Sequence, residues 1–67
     1  MGAELQRIIE TGQIKQIQIY SFSNSVLQGQ SREWLLASQT VQVGRELYEL
    51  SKIVAIRTTE QSLQLYF

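Results

Sequence analysis

The sequence has no cysteine, no histidine and no proline, and its six acidic residues are all glutamate. Each absence removes a class of function. Without cysteine there are no disulfides, no thiolate metal ligands and no thiol nucleophile. Without histidine the usual general base and the commonest metal ligand are missing as well. Charge of one sign is also lacking: six Lys and Arg balance six Glu, for a net charge of +0. A neutral chain exerts no global pull on nucleic acid or on an acidic membrane, so any anion site must be local. The four glycines are scattered and form no phosphate-cradling loop.

Catalysis is not expected from what remains. A Ser-Lys dyad at Ser51-Lys52 is poorly placed, because neighbours on a strand point to opposite faces. Glu33, Glu46, Glu49 and Glu60 sit at or near expected turns and read as a solvated surface rather than a two-carboxylate site. No metal and no cofactor is expected. No apolar run approaches a membrane span of ~20 residues, and the first residues form no secretion leader. Gln6 stands where an N-myristoylation signal beginning Met1-Gly2 needs Ser or Thr. A cytoplasmic location is the expectation.

What is present is a core and a period. Apolar residues make up 43% of 67 residues, which suits one folded domain spanning 1–67. A domain this small buries only about 60% of its unfolded surface. With disulfides and thiolate metals excluded, self-association or an unusually well-packed core must supply stability. Leu5, Ile8 and Ile9 recur at helical spacing, which predicts a helix over 3–11 ended by a left-handed cap at Gly12. From residue 14 to 67 the period becomes two, and about five or six short strands are expected. Ile17 and Ile19 face one way, with Gln16, Gln18 and Tyr20 opposite. Ser23-Asn24-Ser25 reads as a hairpin turn, and Gly29 as a bulge, bend or close approach. Trp34-Leu35-Leu36-Ala37 is too apolar for an exposed edge, and Trp34 itself suits a core or an interface. Ser51-Lys52 interrupts the long run from Leu47 to Arg57, and Thr58 to Gln61 forms the next turn.

The candidate binding residues follow from this alternation. Tyr20 and Phe22 fall on the polar side of the first strand, where they either stack on nucleobases or turn inward beneath the helix. Gln16, Gln18, Gln28 and Gln30 can hydrogen-bond base edges. Arg32, Arg45, Lys52 and Arg57 lie at expected strand ends, and Arg32 and Lys52 are the candidates for phosphate contacts. The last run places Leu63, Leu65 and Phe67 on one face. A strand of that kind is paired with its own barrel or with a neighbouring subunit. Tyr48, Leu63, Leu65 and Phe67 are the candidate contacts of a homo-oligomer.

A helix followed by short strands, with Ile19-Tyr20 and then Leu27-Gln28-Gly29-Gln30, resembles the Sm-like fold of LSm and Hfq proteins. Tyr48-Glu49-Leu50-Ser51-Lys52-Ile53 resembles their second motif, with Glu49-Leu50 in place of its Lys-His pair. The resemblance implies a mainly β fold: a short N-terminal helix and a five-stranded, strongly bent Sm-like or SH3-like barrel. It also implies a ring of identical subunits that binds RNA, with Tyr20, Leu27 and Gln28 at the face taking A-rich sequence. The stretch from Leu5 to Tyr20 and the segment Leu50-Ser51-Lys52-Ile53 resemble WYL domains, which share that core. That likeness implies a sensor of small ligands or nucleic acid. A protein partner without nucleic acid is the remaining alternative.

Overall fold

The computed structural model describes residues 2–67. Met1, where the expected domain and the acylation signal considered above begin, lies outside them. Among the described residues the fold is mainly β, with one short helix and seven strands in two sheets. The helix α1 is Gly2–Gly12. The strands are β1 Gln16–Tyr20, β2 Leu27–Ser31, β3 Trp34–Leu36, β4 Thr40–Val43, β5 Glu46–Glu49, β6 Ala55–Thr59 and β7 Ser62–Tyr66. A single 3-10 turn, Leu50–Lys52, stands between β5 and β6, where Ser51-Lys52 was expected to break the run.

The first sheet has the order β2-β1-β7-β6 and the second β3-β4-β5. Every pairing is antiparallel except that of β1 with β7, which is parallel and matches Ile17 with Leu63 and Ile19 with Leu65. Strand β2 runs through Ser31-Arg32-Glu33 into β3, so one stretch of chain serves both sheets. The Ser31 hydroxyl accepts the Glu33 N–H (3.0 Å), and the Glu33 carbonyl accepts the Gly44 N–H (2.9 Å). Gly44 has φ +63 and opens the two-residue turn joining β4 to β5, a position where a side chain would be strained.

The core lies between the sheets and under the helix. Ile17, Ile19, Leu63 and Leu65 from the first sheet meet Val41 and Val43 from the second, with Leu5, Ile14 and Leu50 closing the ends. Alternation explains the selection: every second residue of β1, β4 and β7 is buried. The helix is too short to persist alone and is held by Leu5, which is fully buried, and by Ile8 and Ile9 against the core. Its end departs from expectation by one residue. Gly12 stays helical and Gln13 takes the left-handed conformation, φ 51. The Ile14 N–H then donates to the Ile9 carbonyl (3.2 Å), the six-to-one bond of a Schellman cap, and both isoleucines pack on the core.

Two further expectations are corrected. Strand β3 is an edge strand, and Leu35 at its centre is 68% exposed. Alternation turns Trp34 and Leu36 toward the core and Leu35 away from it. Of the four proposed oligomer contacts, Leu63 and Leu65 belong to the subunit's own interior, and Tyr48 and Phe67 are half-buried against it. Leu63 and Leu65 are wholly buried, because β7 is a central strand flanked on both sides. Tyr48 and Phe67 pack on the core and on each other, with ring centres 5.2 Å apart, and so tie the second sheet to the first.

Candidate nucleic-acid interface

The first sheet buries one face and leaves the other open. Residues paired across strands share a face, so the register gives the composition of that outer surface row by row. The row at the finish of β1 reads Leu27, Tyr20, Tyr66, Ala55 across β2, β1, β7 and β6. The next row reads Gln30, Gln18, Gln64, Arg57. The row at the start of β1 carries Gln16 beside Ser62.

The aromatic row is ordered by contact. Tyr20 and Tyr66 stack with centres 5.2 Å apart and planes 20° from parallel. That separation is close to the ~4.8 Å between neighbouring strands, so the rings stand side by side like the strands that carry them. Phe22 meets Tyr66 edge-on at 6.5 Å and is 54% exposed. It is held there by its own N–H, which donates to the Phe67 carbonyl (3.0 Å). Ala55, the partner of Tyr66 on β6, has only a methyl group, which leaves low ground beside the tyrosine ring.

The glutamine row is a hydrogen-bonded ladder. Gln64 Nε2 donates to Gln18 Oε1 (3.0 Å), and Gln18 Nε2 donates to Gln30 Oε1 (3.2 Å). Gln16 Nε2 donates to Ser62 Oγ (3.0 Å) in the row below. The ladder holds the amides upright between strands, and each amide has donors or acceptors to spare. Beyond the lower row, Lys15 and Arg32 line a shallow depression of about 210 Å3 together with Glu60. From Gln16 to Tyr20 is about 13 Å along the strand. One face therefore offers cations at one end, amides in the middle and aromatic rings at the other end.

The expected site residues do not all come together. Tyr20, Phe22 and Leu27 come together on the aromatic row. Gln28 is exposed and is the extra residue of a bulge, between Leu27 paired with Tyr20 and Gly29 paired with Ile19. Arg32 lies in the bend after β2, at the cationic end. Lys52 is not part of this surface; it sits on the 3-10 turn, where it makes an exposed ion pair with Glu49 (3.8 Å). Arg57, expected at a strand end, is in the middle of β6. Tyr66 and Gln64 were not among the expected residues, yet a signal for them exists. Ile17-Gln18-Ile19-Tyr20 and Leu63-Gln64-Leu65-Tyr66 share one pattern, and the parallel pairing sets them side by side in register.

Among the described residues no His, Cys, Asp or Glu cluster suited to a metal ion occurs, and no helix is long and apolar enough to cross a membrane. Comparison of the chain with family models, with curated proteins and with solved structures gave no match.

Proposed function

We propose that this chain is a non-catalytic binding module that takes single-stranded RNA on the outer face of its four-stranded sheet. The supporting observation is the stacked Tyr20–Tyr66 pair with Phe22 edge-on, standing on a solvent-facing sheet beside a ladder of amides and Arg57. Aromatic rings on an open sheet give bases a stacking surface at little entropic cost, and amides select among base edges. Few cations flank the site, so stacking supplies more of the affinity than phosphate contact does. An Sm-like or SH3-like kinship belongs to the same proposal. It is supported by the helix-first order and by the bent stretch β2–β3, which serves both sheets.

Fluorescence anisotropy with A-rich and U-rich oligoribonucleotides, at low and physiological salt, tests the reading. Binding is expected at low salt, and Tyr66→Ala should weaken it about tenfold, within the ~1–3 kcal/mol that one stacked base contributes. No binding at low salt removes the proposal, because phosphate attraction is strongest there. Binding that is indifferent to Tyr66→Ala places the RNA elsewhere.

A second reading, a protein-interaction module that assembles with copies of itself, is favoured by the outer face of the other sheet. Leu35, Gln42 and Leu47 lie in one row there, and the two leucines are 68% and 65% exposed. The two readings use different faces and are compatible in a homo-oligomer.

A further inference from the structure

A concavity lies apart from the aromatic rings, between the C-terminal end of α1 and the β6–β7 hairpin. It has a volume of about 680 Å3, within the range of small-molecule sites. Ile8, Ile14 and Ile56 form its apolar lining. Glu60 is the only ionised group among its described lining residues, and no ion pair engages that carboxylate among the described residues. Lys15 and Arg32 line the neighbouring depression, which Glu60 also borders. Thr11, at the helix end of the cleft, already uses its hydroxyl proton, donating to the Arg7 carbonyl (2.7 Å). Its oxygen is left able only to accept. A carboxylate and an accepting hydroxyl beside aliphatic walls complement a donor with positive charge.

The hairpin that carries Glu60 is built at a cost. Thr59 pairs with Ser62, so Glu60-Gln61 is a two-residue turn, and both residues have positive φ, 49° and 135°. Asn-Gly is the sequence that makes such a turn without strain. Here two long polar side chains occupy it instead, and both line the cleft. The Lys15 N–H, donating to the Gln61 carbonyl at 2.7 Å, holds the turn against the segment that follows the helix. Strain of this kind gathers at ligand clamps.

We propose that this cleft binds a small molecule with an apolar body and a protonated amine, the body on Ile8, Ile14 and Ile56 and the ammonium facing Glu60. The cleft shares Glu60 and Gln61 with the depression at the cationic end of the RNA face, but takes its ligand whether or not RNA binds there.

The test is an NMR titration of the whole chain with three probes of one shape: phenethylamine, 2-phenylethanol and 3-phenylpropionate. The amine should give saturable shifts of the Ile14, Ile56 and Thr58–Gln61 amides. The alcohol and the carboxylate should bind at least about threefold more weakly, as suits one exposed charge at a rim. Glu60→Gln, with its folded spectrum retained, should bring the amine down to the level of the alcohol. The proposal is overturned by non-saturable shifts with the amine, by shifts centred elsewhere, by equal binding of the carboxylate, or by an unchanged amine preference in Glu60→Gln.

Discussion

Tyr48 reaches from β5 across the space between the sheets to Phe67, and its hydroxyl stands 3.6 Å from the place a side chain on Gly29 would occupy. Burial raises the ionisation of this phenol above its ordinary value near 10, with a smaller contribution from the Glu46 carboxylate. A group whose folded pKa is raised keeps its proton longer in the folded state than in the unfolded one. Stability from this source is therefore complete below about pH 10 and is lost as pH climbs through the folded value. Urea unfolding at pH 9 and at pH 11 should show a drop that Tyr48→Phe reduces; an equal drop in both proteins would assign the alkaline loss to other groups. The left-handed Gln13 offers a second residue-level check. A side chain in that conformation costs roughly 1 kcal/mol that glycine avoids. Gln13→Gly should raise the melting temperature by several degrees, and Gly12→Ala should be tolerated, because Gly12 is helical and a Cβ there would stand 3.4 Å from the Ile14 side chain.

At the level of elements, β7 shares the centre of the fold with β1. It is central in the four-stranded sheet, pairs on both edges and buries Leu63 and Leu65 completely. Leu65→Ala should cost about 2–5 kcal/mol, a large fraction of the stability of so small a domain, and circular dichroism melting will show it directly. Removing residues 63–67 should unfold the subunit, rather than merely separate subunits. Most of the strands were legible, because alternation in β1, β4 and β7 is strict and polar residues mark the breaks. The described residues nevertheless form seven strands where five or six were expected, and Thr58 and Thr59, expected in a turn, belong to β6. The partner of each strand was not. Ile17 meets Leu63 across 45 intervening residues of chain, and a parallel pairing leaves no turn in the sequence to announce it. For that reason Tyr20 and Phe22 could be picked out as outward-facing, while Tyr66, which completes the stack, could not be placed beside them. Leu63 and Leu65 were misread for the same reason: an apolar strand at the end of the sequence looks alike whether it is covered by its own sheet or by a neighbour.

The whole molecule presents two outer sheet faces of different chemistry. One carries aromatics and amides; the other carries Leu35 and Leu47 on either side of Gln42. Among the described residues the core rests on nine buried aliphatic side chains, and a sequence without cysteine has no disulfide to supplement them. Covering the two exposed leucines would add apolar burial of about 1.5–3 kcal/mol for each side chain, comparable to what the core gains from one of its own leucines. The zero net charge places little electrostatic resistance in the way of like copies meeting. On the second reading proposed above, copies meet through the β3-β4-β5 face, which leaves the aromatic row on the opposite sheet free. Native mass spectrometry of the intact chain should record a dimer or larger assembly, and Leu47→Lys should shift it to monomer. Tyr66→Ala should leave the mass unchanged while weakening RNA. If Leu47→Lys leaves the assembly intact, the leucine face is not the contact; if the wild-type chain is already monomeric, the second sheet does not serve to join copies at all.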